Sequence, residues 1–206
     1  MRKAIVFILA VFLLLPVFAD EITFSSNESS VRLREGMESV VLSGSATVST
    51  GSLTISAENI TLSGASWRYI ECSGKVVITD SERDISIRTS VLWYDREAER
   101  LLISSYFEIE DRENEMSAMA NHLEYDMSNE MLRLISRVHF SKINGDDVII
   151  GSSESLSYDR NNETLELSGS CHVIYNGDDY SAERISIDIE NDRISLNSAI
   201  RGTING

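Results

Sequence analysis

The stretch that decides the fold is LELSGSCHVIYNGDDYSAERISIDIENDR, Leu165 to Arg193. Its first half places Leu165, Leu167, Gly169, Cys171 and Val173 at alternate positions, and a strand turns alternate side chains to one face. Asn176-Gly177-Asp178-Asp179 then supplies residues that tolerate positive φ, and a second alternating run carries Tyr180, Ala182, Ile185 and Ile187. The unit reads strand, turn, strand.

The unit recurs along the chain. Aligned on the small residue inside the first strand it gives Gly44, Gly74, Ser105, Ser136, Gly169 and Ser198, at intervals of 30, 31, 31, 33 and 29 residues. A fixed period in that range is the signature of stacked repeats. The apolar set around the column is Val40, Leu42, Ala46, Val48, then Ile70, Cys72, Val76, Ile78, then Leu101, Ile103, Phe107, Ile109. It continues as Leu132, Leu134, Val138, Phe140 and ends as Ile194, Leu196, Ile200. With this column on the apolar face, the small residues imply either close sheet packing or a lengthwise groove.

The second strands share a signature: Ala57-Glu58-Asn59-Ile60, Thr89-Ser90-Val91-Leu92, Ala120-Asn121-His122-Leu123, Ser153-Glu154-Ser155-Leu156 and Ala182-Glu183-Arg184-Ile185. In each the small residue precedes the aligned apolar one by three positions, so the alternation slips by one. A slip at the same place in every copy predicts a bulge or corner that curls the apolar face inward. Tyr94, Tyr125, Tyr158 and, more loosely, Tyr69 close these strands, where they read as rim residues with hydroxyls to water. Glu97 to Leu102 and Met127 to Leu134 are the candidates for short helix. Glu21 to Ser39 reads as an atypical opening pair of strands.

At the start, Arg2 and Lys3 precede an apolar run from Ala4 to Phe18, and small residues lead to Ala19. This predicts a secretory signal peptide over residues 1–19, with residues 20–206 forming one all-β domain. Retention of the leader would instead make a membrane-tethered subunit. The formal net charge of −15 argues against DNA or RNA partners.

No nucleophile elbow or phosphate loop appears. Alternation turns His122, His139 and His172 outward, without shared metal-ligand spacing. The acidic clusters, Glu108 to Glu115 and Asp178-Asp179, read as solvated turns, with weak calcium binding as the functional alternative. Cys72 and Cys171 lie three repeats apart, beyond bridging distance, and are expected as buried free thiols. No enzyme activity and no cofactor are expected.

The L-x-G-x-V strand followed by A-[DE]-x-[LI], in ordered copies after a leader, resembles the OstA-like, LptA-type family of lipopolysaccharide transport. That resemblance covers roughly Ile22 to the C-terminus. Ser105 and Ser136 depart from its glycine, and Leu62-Ser63 stands where Tyr-Asp is usual. The resemblance implies an open-ended β-jellyroll in the periplasm that carries lipopolysaccharide or a related glycolipid, its acyl chains inside. It implies other transport components or further copies as partners, by edge-strand pairing. On this reading the lipid-lining residues are Leu42, Gly44, Val76, Ile78, Ile103, Phe107, Leu134, Phe140, Leu167, Gly169, Val173 and Ile185. The alternative is an exported structural or adhesive β-solenoid that is dry inside.

Overall fold

Alternating sequences of this kind bury one side of a sheet only if the sheet folds over on itself. In the computed structural model, which describes residues 21–34 and 38–204, that is what happens. The strands are β1 (Ile22–Ser25), β2 (Glu28–Arg32), β3 (Ser39–Thr50), β4 (Leu53–Ser63), β5 (Tyr69–Asp80) and β6 (Ile85–Asp95). Then come β7 (Arg100–Ile103), β8 (Phe107–Asp111), β9 (Met116–Ala120), β10 (His122–Asp126), β11 (Met131–Asn144) and β12 (Asp147–Asp159). The last four are β13 (Thr164–Tyr175), β14 (Asp178–Asp188), β15 (Arg193–Asn197) and β16 (Arg201–Thr203). All belong to one antiparallel sheet in which the long strands β3 to β6 and β11 to β14 pair in chain order, while β1 and β2 both pair with β3, β7 and β8 with β6, β9 and β10 with β11, and β15 and β16 with β14. The two segments considered for helix are turns followed by β7 and β11.

Each long strand bends in its middle, and the bends line up across the sheet. Gly44-Ser45, Gly74-Lys75, Ser136-Arg137, Gly169-Ser170 and Ser198-Ala199 all have positive φ at both residues. At Gly44-Ser45, Gly74-Lys75, Ser136-Arg137 and Gly169-Ser170 the two residues lie opposite one on the next strand, as in a β-bulge. At Ser105 the strand is interrupted outright, between β7 and β8. The corner expected on the second strands thus lies on this line, but its left-handed residues are the small ones of the first strands.

Turns between strands form two rows. The first comprises residues 51–52, 81–84, 112–115, 145–146 and 176–177; the second comprises 64–68, 96–99, 127–130, 160–163 and 189–192. Most follow one pattern, an Asp whose carboxylate accepts backbone N–H groups two or three residues on and a Glu or Asp four residues on with positive φ. Asp95 accepts from Glu97 and Ala98, and Asp159 from Asn161 and Asn162, with Glu99 and Glu163 left-handed. Successive turns in a row are joined by single backbone bonds: Arg112 N–H to Asp84 O and Ile143 N–H to Glu115 O in the first row. In the second, Met127 N–H meets Glu99 O and Arg160 N–H meets Glu130 O.

An 11-residue strand laid straight runs to roughly 36 Å. Here the strands' opposite ends meet, because side chains reach from one row of turns to the other. Arg160, at the second-row end of β12, bonds Asp111 at the first-row end of β8. The sheet is therefore closed like a folded page, with the bulge line as spine and the two rows of turns meeting at a seam.

The candidate lipid trough and its seam

The inner faces of the fold form one continuous apolar core from Val40 to Ile189. Of the residues expected to line a lipid path, Leu42, Val76, Ile78, Ile103, Phe107, Leu134, Phe140, Leu167, Val173 and Ile185 lie in it, each at most 3% exposed. Strand alternation and the bulge spacing bring all ten to one interior.

Gly44 and Gly169 do not belong there. Gly44 is exposed and Gly169 half-buried, both on the outer side of the spine. A Cβ built on Gly169 would lie 2.8 and 2.9 Å from Cβ and Cγ of Glu154, and one on Gly44 would lie 3.1 Å from Asn27 Nδ2. The column therefore serves neither as groove nor as inter-sheet packing. It lets a polar side chain of the adjacent strand lie over the corner. Strict alternation misplaced these residues because the two left-handed residues absorb the positions that would have pointed inward.

The tyrosines also differ from expectation. Tyr94, Tyr125 and Tyr158 are buried under the seam, not at a wet rim. Tyr125 Oη donates to Glu130 at 3.0 Å, whereas the Tyr158 hydroxyl has no hydrogen-bond partner. Burial pushes the Tyr94 phenol up to about 12. Tyr69 stands apart, stacked on Trp93 at 5.7 Å on the outer face.

The seam is polar. Arg160 Nε donates to Asp111 Oδ2 at 2.7 Å and Nη2 to Glu113 Oε2 at 3.0 Å, and its Nη1 bonds Glu130. Arg83 Nε donates to Glu130 Oε1 at 2.5 Å and Nη1 to Asp80 Oδ2 at 2.9 Å, while Nη2 reaches Met127 O at 3.1 Å. Farther along, Arg96 Nε meets Thr50 Oγ1 at 3.2 Å. Desolvation alone would raise the Glu130 carboxyl, but hydrogen bonds from Arg83, Arg160 and Tyr125 hold it below the usual range. Lys142, 2% exposed, donates to Asn114 O at 2.7 Å, and its burial lowers the ammonium's pKa. No sequence pattern pointed to Arg160, Arg83 or Lys142, since Asp111, Glu130 and Asn114, which they bond, lie 28 to 49 residues away.

In this structure the interior is filled by its own side chains. A pocket of about 10 Å³ beneath Ile149, Tyr175, Ile187 and Ile194 is the size of a single water. Larger depressions, about 490 and 470 Å³, lie on the outer faces, over Ser157-Glu166-Ser186 and over Met119-His139-Ile150.

At both ends, side chains of the inward-facing set stand exposed. Phe24 pairs with Val48 and Val31 with Val40, yet Phe24 is 50% and Val31 54% exposed. At the other end Ile194 and Leu196 are half-buried and Ile200 is 57% exposed, where it was expected inside. The segments Glu21–Arg34 and 193–203 are each one bent edge strand in two pieces. β1 with β2 and β15 with β16 pair on one side only, with β3 and β14.

Cys72 and Cys171 are free and buried. Burial raises the Cys72 thiol to about 12. His139 is exposed, and His122 and His172 make hydrogen bonds to Glu124 and Asp179 at the surface. In the acidic clusters Asp111 accepts the Asn114 N–H, Glu110 and Glu113 accept from Arg112 and Arg160, and Asp179 bonds His172. Among the described residues no group of three or more His, Cys, Asp or Glu could hold a metal ion, and no helix is long and apolar enough to cross a membrane. The expected signal peptide lies outside the described residues.

No family model and no curated protein matches the sequence. Among solved structures the chain is similar to LptH of Pseudomonas aeruginosa, the LptA-homologous periplasmic component of the lipopolysaccharide transport device, at 13% identity. The match covers 90% of this chain and 96% of that one, with a TM-score of 0.29. So loose a superposition carries no argument, and the all-β antiparallel architecture rests on the strand pairing itself.

Proposed function

We propose that the protein is a non-enzymatic, exported lipid carrier that holds the acyl chains of a lipopolysaccharide-like glycolipid between the two halves of its folded sheet. The observation that carries this reading is the pair of open ends, where apolar inward-facing side chains and unpaired strand edges coincide. A second sheet docked on either edge would satisfy the free N–H and C=O groups and prolong the apolar interior at once. The partners on this reading are other transport components of the same architecture, or further copies joined head to tail in the periplasm.

Burial of hydrocarbon is the term that decides affinity. An acyl chain of about a dozen carbons gains roughly 10 kcal/mol at about 0.8 kcal/mol per CH₂, before ordering costs. Surface ion pairs contribute about 0–1 kcal/mol each, so an acidic protein still holds an anionic lipid. Because the interior is closed on itself, the chain must part Leu134, Leu156 and Leu167 from the side chains facing them.

The filled interior is also what a dry structural solenoid would have, and that is the second reading. Titration with 11-(dansylamino)undecanoic acid, followed by displacement with lipopolysaccharide, separates the two. A carrier enhances dansyl fluorescence and releases the probe to the glycolipid; a protein that leaves the probe dark is a solenoid.

A further inference from the structure

The seam is where the fold departs from what stability alone asks of it. Backbone bonds run along each row of turns, whereas the contacts from row to row are made by side chains, most of them charged. Arg160 is 5% and Asp111 4% exposed at the side chain, so this is a buried ion pair. Replacing such a pair with well-packed apolar residues is commonly neutral or stabilising. An ionic seam differs from an apolar one in the open state: its charges regain water when the rows part, which offsets what opening loses. The spine opposite, with left-handed residue pairs in β3, β5, β11 and β13 and between β15 and β16, is a line about which the halves can turn.

Between the Arg96–Thr50 contact and the Arg83–Glu130 contact the seam leaves a cleft of about 280 Å³. First-row Gly51, Ser52 and Glu82 form one lip and second-row Arg96 and Glu99 the other. Leu53, Tyr94 and Met127 line it and are core residues, 4–6% exposed. Through this gap the polar surface lies one side chain from the apolar interior.

We propose that the trough loads from its side: an acyl chain of a single-chain or multi-chain amphiphile enters over Leu53, Tyr94 and Met127, and the Arg83–Glu130–Arg160–Asp111 network is the latch that this entry must release. The hydrated head stays at the lips, beside Arg83 and Arg96. This rests on the carrier reading of the interior.

The two buried thiols report opening without any lipid. The test pairs the rate of iodoacetamide labelling of Cys72 and Cys171 with the rate of dansylundecanoate uptake, on full-length chain, in wild type and in Arg160→Met with Asp111→Asn. Asparagine keeps an oxygen for the Asn114 N–H that Asp111 now accepts, so no uncompensated charge is left on that pair. Both rates are expected to rise about tenfold, the change that corresponds to about 1.4 kcal/mol. Unchanged labelling in a folded variant overturns the latch, and faster labelling with unchanged uptake overturns the side entrance. No uptake by either protein, whatever the labelling, overturns the carrier reading instead. If the double variant does not fold, Glu82→Trp, on an exposed turn at the lip, keeps the question open to test. It is expected to slow uptake about tenfold, and an unslowed rate overturns the entrance.

Discussion

Replacing Gly169 by alanine tests the spine. The residue has φ +80°, where an L side chain costs about 1–2 kcal/mol. The added methyl would also sit 2.8 Å from Glu154 Cβ, and relieving that overlap at a fixed corner costs about 1–3 kcal/mol. Together these give roughly 2–5 kcal/mol, a fall in Tm of about 4–20 °C for a chain of this size. Gly177→Ala is the control, since φ there is +91° but nothing lies within 4 Å of the built Cβ, leaving only the conformational cost. Thermal unfolding by circular dichroism should therefore rank Gly169→Ala well below Gly177→Ala. In a regular strand, alanine in place of glycine stabilises by about 0.5–1 kcal/mol. A Gly169→Ala protein that equals or exceeds wild type would refute the corner. Equal losses at both positions would refute the contact with Glu154.

Phe107, fully buried beside the interrupted strand, should lose about 3–5 kcal/mol on Phe107→Ala, read from urea denaturation. Glu130 is held below the usual carboxylate range by Arg83, Arg160 and Tyr125 against its own desolvation, and Asp80 by Ser52 and Arg83 against its own. For both, the folded pKa lies below the unfolded one, so their stabilisation is complete above the unfolded values near ~4–4.5 and is lost as pH falls below them. Calorimetry from neutral to acid pH should show Tm level at first and then dropping, with a shallower drop in Glu130→Gln; a parallel drop would mean the latch is not its source. In β15, neighbouring residues point their N–H groups to opposite sides, so of Ile194→Pro and Ser195→Pro one removes an outward donor. Sedimentation should show that one variant loses end-to-end association while remaining folded, and equal association in both would exclude this edge as the joint.

The repeat made the fold legible because burial writes itself into period-two alternation wherever the chain is straight. Val40, Leu42, Ile70 and Phe140 lie inside as read. Alternation fails where two successive residues turn left-handed, which is why Gly44 and Gly169 were read inward and lie outside. The turn pattern of an Asp with an acidic residue four positions on stands in the sequence in six copies, from Asp80-Asp84 to Asp188-Asp192, but only its Asp111-Glu115 copy was singled out, within an acidic cluster taken for a solvated turn. The tyrosines were misplaced because the seam beside them is closed by residues of other repeats: Glu130, in the turn after Tyr125, takes its hydrogen bond, but Arg83 of the opposite row reaches Glu130 and Met127 O only when the sheet folds over. The seam itself was illegible for the same reason, since Arg160 and Asp111 are 49 residues apart and meet only when the sheet folds over.

The central claim is that hydrocarbon lies between the two halves of the sheet. A diazirine-bearing amino acid placed at Phe140, 3% exposed within the core, and separately at Tyr106, 51% exposed on the outer face, measures it directly once the protein is incubated with lipopolysaccharide and irradiated. The account expects a lipid adduct at Phe140 and none at Tyr106. Adducts at Tyr106 alone, or at neither position in a folded protein, would contradict it.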